Sequence, residues 1–538
     1  MYSLDSPIQK LRAGFFGKNC LRHWLGISGL VVLFIALRWN NFDAALNRDE
    51  GEYAYSALLL EHGMAPYEHA FVQKPPMVFY SYVLSDFFLP HVFWGPRLLT
   101  GAFVALATIL LGFIARLEFG KGFALPTMWL ATPMVLLPKI DQFTANTEMF
   151  MLLPLLATVA VYSYSRRGEH NTRHWLAAGF LGATAMLYKY TALPVLLLVY
   201  AAWSIETWRV SRNAGLLLRC WIAAFAGGMV AAIAILGFFL VHDGGRGLWE
   251  CTVRFNGYYT QMNLFGADAF LSQMKDFCSS WWILCLIPWA ALIKPKPRIF
   301  FWLGMFVCAV GASGASCYGQ YYVIMMPFWA LITVVGIRNL VSAIAQQMTR
   351  PTGRLAHLVV AVVVILVIRP DVPWLVQTPE RFAEMKMGKW SPFLESSLAA
   401  KRVAELSSPR DFVYVAGSEP QILYYARRFS PTRFITAYPL LYPPPPVARM
   451  YQSEAEDDLE ARPPSLIVVV QSATSWPKLK TTPPDYSVFL HRYIEQGYDL
   501  VGGYVVGQPK DHWSEPLAKD ELAHASLLLF KRKPQLPE

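Results

Sequence analysis

Charge is scarce in this sequence. Asp, Glu, Lys and Arg make up 16% of its 538 residues, where a soluble globular protein carries about 25%. With 55% hydrophobic and 14% aromatic residues and a mean hydropathy of +0.33, that deficit excludes a soluble enzyme and a disordered chain. A cysteine framework is missing too. The seven cysteines form no Cys-x-x-Cys pair and no zinc spacing, and none follows Cys317. A disulfide-stapled secreted domain is therefore excluded. Cys251 and Cys278 share one loop and can pair if it faces an oxidising compartment, although two free thiols is the plainer reading. No fixed-period repeat and no pair of related halves occurs.

What is present is a succession of apolar runs separated by short polar stretches, the pattern of a polytopic α-helical membrane protein. The 47 Lys and Arg exceed the 37 Asp and Glu, for a formal charge of +10. Much of that excess sits in clusters between apolar runs, which is how orientation in a membrane is encoded, so nucleic acid is not an implied partner. Lys10, Arg12, Lys18 and Arg22 precede the run 24–37, and no small-residue cleavage site follows. This reads as a retained signal anchor with a cytoplasmic N-terminus. The basic interruptions near 116–121, 166–173, 209–219, 294–298 and 338–354 should also be cytoplasmic. The less basic ones, 39–97, 139–147, 188–190, 242–278 and 313–320, should face outward.

Counting crossings between the basic stretches gives pairs everywhere except before Arg116, where three apolar runs occur: 24–38, 75–90 and 98–115. Both ends of that interval are cytoplasmic, so the number must be even. The run 75–90 opens on Pro75-Pro76 and contains Ser81, Ser85 and Asp86, and it falls short of the roughly 20 residues that a span needs. It is expected to lie along the outer interface. The tally is eleven transmembrane helices, with the C-terminus outside.

Two domains are expected: a transmembrane domain, 1–369, and a soluble extracytoplasmic α/β domain, 370–538. The second is richer in charge and proline and shows strand candidates at 411–417, 465–470 and 525–531, with a helix at 419–428. Gly417-Ser418 ahead of that helix is able to hold an anion, but a capped turn is the commoner use.

Parity gathers the polar candidates on one side. The first outer loop contains Asn47-Arg48-Asp49-Glu50-Gly51-Glu52-Tyr53, then Gly63-Met64-Ala65-Pro66-Tyr67, then Gln73-Lys74-Pro75-Pro76. Adjacent carboxylates at the membrane surface need water, a cation or a substrate to meet them. Asp49, Lys74 and Lys189 read as functional, because inert positions at bilayer level seldom carry charge. Glu52 and Asp141 read as solvated or paired surface charges. His62 and His69 lack a third ligand at a metal spacing.

The order Asp49-Glu50, Tyr53, Gly-x-x-Pro-Tyr and Lys74-Pro75-Pro76 resembles the first outer loop of glycosyltransferases with the membrane-embedded C fold. The nearest group in pattern is that of bacterial protein O-mannosyltransferases and lipid A aminoarabinose transferases. Thr147-Glu148-Met149, Tyr188-Lys189-Tyr190 and Tyr321-Tyr322 with Pro327 extend the resemblance over most of 24–340. Two positions depart from the aminoarabinose transferases: Glu52 stands where they usually have arginine, and Gln73 where they have glutamate.

The resemblance implies transfer of a sugar from a polyprenyl-phosphate donor to a lipid, glycan or protein acceptor at the outer face of a bacterial inner membrane. Nucleotide sugars are not supplied outside the cell, so a lipid-borne donor is the consistent choice. Asp49 matches the family's catalytic carboxylate and takes the role of base. Glu148 orients the acceptor or helps to bind a divalent cation, the one cofactor left open. Lys74 and Lys189, with Arg254, would balance the departing phosphate, and Glu50, Tyr53 and Tyr322 complete the substrate-binding set. Direct displacement in one step would invert the anomeric centre. Two other classes remain: a transporter or flippase, and a non-catalytic partner subunit that binds polyprenyl phosphate. Transporters usually show repeated halves and polar residues at mid-bilayer. Here the charges sit at the outer ends of the runs.

Overall fold

A computed structural model of the chain describes residues 18–534, except 43, 91, 141–142, 168–170, 262–265, 294, 315, 317, 346–351, 388–391, 478 and 508–510. Asp141 thus lies outside the described residues, as do the side chains of 18–23. Among the described residues, six helices are long and apolar enough to cross a membrane: Gly95–Phe119, Thr147–Ser165, Tyr190–Ser211, Ala214–Val241, Gly319–Ala345 and Gly353–Leu375. They coincide with six of the eleven expected spans. Of the other five runs, 24–38 falls largely in the helix Lys18–Ala36, and four form shorter pieces, among them Ala124–Leu136 with Pro133 inside it, Thr172–Tyr188 and Pro297–Ala312. Internal proline removes a backbone donor and interrupts the ladder.

The run expected to lie flat forms the helix Met77–Phe88, 12 residues. At 1.5 Å per residue it reaches about 18 Å, against about 30 Å of hydrocarbon. Its Ser81, Ser85 and Asp86 are buried, while Phe87 and Phe88 are exposed. That division suits a helix with one face on the protein and one toward lipid.

The two sets of loops separate in space. Arg166 pairs with Glu118 at 3.4 Å and Glu206 at 2.8 Å, and Arg298 pairs with the same two carboxylates at 2.6 and 3.2 Å. Residues from four interruptions expected to be cytoplasmic or to border such a loop thus form one cluster. Glu148 opens the helix Thr147–Ser165 and Arg166 closes it, so this cluster and the candidate site occupy opposite ends of one helix.

Among the described residues the strands lie in the C-terminal part: β1 (Val413–Ala416), β2 (Leu466–Val470), β3 (Tyr498–Val505), β4 (His512–Ser514) and β5 (Ala525–Arg532). The order in the sheet is β1-β2-β5-β3-β4, with β1 and β2 parallel and the other pairs antiparallel. The strand candidates at 411–417, 465–470 and 525–531 are strands. Sequence reading missed β3 and β4, because Gly502-Gly503 breaks the β-rich run. A Cβ at Gly502 would meet the Ser514 carbonyl oxygen at 2.8 Å; glycine there admits the close approach of β4 at a bulge.

This sheet-bearing part is seated on the first loop. A Cβ at Gly51 would lie 2.7 Å from the Gln421 backbone nitrogen. Ser430 N donates to the Tyr55 hydroxyl at 2.9 Å and Leu46 N to the Tyr425 hydroxyl at 2.9 Å. Arg48 pairs with Glu419 at 2.9 Å. The Gly417-Ser418 turn is filled by the protein itself: Ser418 N donates to Ser475 Oγ and Glu419 Oε2, and Ala437 N donates to Ser418 Oγ. It is a capped turn, with no vacancy for an anion. Cys251 and Cys278 are two free thiols, the plainer of the two readings. Cys251 is buried, and Cys278 shares a thiol hydrogen bond with Cys285, Sγ to Sγ 3.2 Å.

Candidate active site

The first loop is built around a fixed helix start. Asn47 caps the helix Arg48–Glu61: its side chain accepts from Glu50 N, and its own N–H donates to Glu50 Oε2. Arg97 then clasps Glu50, with Nε 2.8 Å from Oε1 and Nη2 2.6 Å from Oε2, and Ala145 N adds a third donor at 2.9 Å. Glu50 is fully buried and saturated. It therefore holds the loop and does not offer itself to a substrate, which corrects its place in the substrate-binding set.

With Glu50 pinned inward, its neighbour Asp49 lines a cavity of about 410 Å³. Asp49 is half-buried and forms no hydrogen bond or ion pair among the described residues. The helix N-terminus beneath it favours a negative charge. Glu52 lies one turn further on. Contrary to the expectation of a solvated or paired charge, it is 3% exposed and its Oε2 has no partner. Burial, and then the neighbouring Asp49, push its carboxyl up to about 8. Tyr53 is buried between Phe79 and Tyr82, and its hydroxyl also lacks a partner. Burial, followed by Asp49, Glu148 and Glu52, raises it well above the ordinary phenol range. It stays a neutral donor beside the carboxylates.

Lys74 is brought in by the fold of 62–76. The Tyr67 hydroxyl donates to the Lys74 carbonyl at 2.8 Å, and Asn256 Nδ2 donates to the Gln73 carbonyl at 3.0 Å. Burial would discharge an isolated lysine here, but Asp49, Tyr321, Glu52 and Glu148 outweigh it and hold the ammonium above its ordinary range. Lys74 nevertheless makes no direct ion pair among the described residues. It is a buried cation within the field of three carboxylates, with its hydrogen-bonding capacity unspent.

Glu148 and Lys189 supply the other wall. Thr147 Oγ1 donates to Glu148 Oε2 at 2.8 Å, and Lys189 Nζ forms a short ion pair with Oε1. Lys189 has extended backbone angles at the break between Thr172–Tyr188 and the next helix, which directs its side chain off both helix axes. Its Nζ also lies 3.5 Å from the centroid of the Tyr321 ring.

A second cavity of about 450 Å³ contains Lys189. Gln73, Lys74, Tyr259 and Tyr321 line both cavities. The two chambers therefore meet at Lys74, with Lys189 on one side and Asp49 on the other. An anion in the chamber of Lys189 would meet two ammonium groups, and a hydroxyl in the chamber of Asp49 would meet a carboxylate.

Two further assignments change. Tyr322 is buried, donates to the Ser316 carbonyl at 2.9 Å and packs edge-on against Phe277. The site residue is its neighbour Tyr321. Both lie in the 3-10 segment Gly319–Met325, where successive side chains are about 120° apart, so only one of them reaches the site. Arg254 is exposed, with Nε 3.2 Å from the Tyr258 hydroxyl, and lines neither chamber. Asn256 does. Sequence reading also missed Tyr259, Tyr321 and Gln73 as lining residues; of these only Tyr321 carried a signal, in the Tyr-Tyr pair.

The donor set does not suit a divalent cation. Among the described residues no three His, Cys, Asp or Glu side chains converge to hold one. Glu148 is taken by Lys189, and the ammonium of Lys74 shares the field of Asp49 and Glu52.

Residues 73–231 match the sequence profile of the family described as dolichyl-phosphate-mannose-protein mannosyltransferase. That stretch contains Lys74, Glu148 and Lys189. No curated protein matches the chain significantly. Among solved structures, the chain is similar to ArnT from Cupriavidus metallidurans bound to undecaprenyl phosphate, with a TM-score of 0.58 and 13% identity over 96% of this chain and 99% of that one. It is also similar to ArnT from the same organism in the apo state, with a TM-score of 0.55 and 15% identity over 94% and 98%. At such identity the likeness is one of fold. The profile match and the likeness in fold both agree with the resemblance carried by the first loop.

Proposed function

We propose that this protein is an integral membrane glycosyltransferase that takes a sugar from a polyprenyl-phosphate donor and passes it to an acceptor hydroxyl at the outer face of the membrane. The observation that carries the reading is the placement of Lys74 between two chambers, bonded to neither wall. The donor enters the chamber of Lys189, and its phosphate accepts hydrogen bonds from Lys74 and Lys189. The acceptor enters the chamber of Asp49. Asp49 takes the proton of the acceptor hydroxyl as that oxygen forms a bond to the anomeric carbon. The bond from this carbon to the phosphate oxygen breaks, and polyprenyl phosphate leaves with the electron pair against the two ammonium groups. Attack and departure from opposite sides invert the anomeric centre. Undecaprenyl phosphate, bound in the ArnT structure of similar fold, supports a lipid phosphate as the leaving group. Transmembrane residues 1–369 and outer residues 370–538 divide the work: the first holds the donor and the second closes the acceptor chamber.

The test is Asp49→Asn in purified protein. Asn keeps size and hydrogen bonding but loses basicity, so turnover should fall by about 10²–10⁴-fold while donor binding persists. Turnover near wild type in Asp49→Asn, together with its loss in Glu148→Gln, would move the base to Glu148.

A further inference from the structure

The walls of the acceptor chamber have a composition that the transfer chemistry does not require. Five tyrosines, Tyr259, Tyr318, Tyr321, Tyr438 and Tyr442, line it together with Phe393. The C-terminal part contributes Phe393, Tyr438, Tyr442 and Thr474, none of them charged. Chain neighbours of this wall line a further cavity of about 710 Å³, within the size range of ligand sites. Those neighbours are Leu441, beside Tyr442, and Ala473, beside Thr474. Among the described residues that line it, none is Asp, Glu, Lys or Arg. The Trp476 indole is fixed there by a hydrogen bond from Nε1 to the Val470 carbonyl at 2.9 Å. The Gln471 carboxamide, at the end of β2, makes no hydrogen bond among the described residues.

We infer that the acceptor is an uncharged glycan, whose reacting sugar sits among the tyrosines and whose following units pass over the loop 471–476 to lie beside Trp476. The position of the reacting hydroxyl rests on the transferase reading above; the binding of a glycan does not. Aromatic rings offer flat apolar faces to the C–H faces of a sugar, while phenols and amides exchange hydrogen bonds with its hydroxyls. A phosphorylated lipid headgroup would require a free cation; Arg48, which lines the chamber, is spent on Glu419, Lys74 serves the donor, and no Lys or Arg lines the further cavity among the described residues. An acyl chain would bring hydrocarbon against Asp49 and Arg48, which line the same chamber, and desolvate them.

The experiment uses the full-length protein in nanodiscs, with Asp49→Asn to prevent turnover, and neutral oligosaccharides from partial hydrolysis of host envelope polysaccharide as the probe. Saturation-transfer NMR should show contact with the sugar protons. Gln471→Ala and Trp476→Ala should each weaken it by several-fold to about tenfold, the scale of one lost neutral hydrogen bond or one lost aromatic contact. Gln471 is exposed, so its variant keeps the fold, and a melting curve checks Trp476→Ala. Saturation that is absent, or unchanged in both variants, would overturn the inference. In the wild type supplied with labelled donor lipid, the label should partition with protease-resistant, water-soluble glycan. Label in protein or in the phospholipid fraction would overturn a glycan acceptor and leave the transferase reading standing. Trp476-dependent glycan binding without any transfer would do the reverse.

Discussion

The ammonium of Lys189 lies 3.5 Å from the centre of the Tyr321 ring while its Nζ is tied to Glu148. The lysine is thus held on two sides, by a carboxylate and by an aromatic face, and points into the chamber assigned to the donor. Lys189→Met fills similar space without charge. Loss of a charge-assisted hydrogen bond to phosphate is worth about 1.5–3 kcal/mol, so affinity for polyprenyl phosphate should drop about ten- to hundred-fold. Titration of the lipid into nanodisc-embedded protein measures this. Unchanged affinity would make Lys189 a structural partner of Glu148 alone.

Glu50 and Asp49 are adjacent in sequence, yet the structure gives them opposite tasks. Glu50→Gln leaves the buried Arg97 without its counter-charge, and breaking such a pair costs about 3–5 kcal/mol. The expected outcome is a large loss of stability in chemical denaturation, with the protein that remains folded turning over at close to the normal rate. A specific fall in turnover at unchanged stability would return Glu50 to the chemistry.

Glu52 makes stability depend on pH. Its carboxyl is pushed up to about 8 in the folded protein, by burial and then by Asp49, against an ordinary glutamate value near 4.3 when unfolded. Below both values each state holds the proton, and there is no penalty. Between them only the folded state holds it, so stability falls as pH rises through that window. Above about 8 the full penalty remains. Glu52→Gln should remove this slope and stabilise the protein most at the alkaline end. Thermal melts of both proteins from pH 5 to 9 check it; parallel curves would place the titration elsewhere.

Topology is open to direct labelling. Cysteines introduced at Trp94 and Lys139 should both react with an impermeant thiol reagent added from outside, and one at Glu169 should not. Labelling of position 94 only from the cytoplasm would make the segment 75–90 a true span and divide the site between two faces.

Much of the layout was legible because charge and hydropathy act locally. The basic interruptions and the odd number of runs before Arg116 were enough to place Asp49, Lys74, Glu148 and Lys189 on one side, and these four converge. Glu50 and Tyr322 were misplaced for a different reason. Their roles depend on which way one side chain of an adjacent pair points, and that is set by partners far along the chain. Arg97, the partner of Glu50, stands 47 residues away, and Phe277, the partner of Tyr322, lies in another helix.

By itself the sequence determined that the chain is a helical membrane protein, where its apolar runs fall, and which polar residues share an end. These follow from composition and from the cost of leaving charge in hydrocarbon, quantities that a single strand of residues carries. Only the tertiary structure decided that Lys189 is paired while Lys74 is not, that Glu52 is buried, that Tyr321 and not Tyr322 reaches the site, and that two chambers meet at Lys74. Those outcomes rest on burial and on contacts between segments tens to hundreds of residues apart. They come into being only when the helices pack and the C-terminal part settles on the first loop.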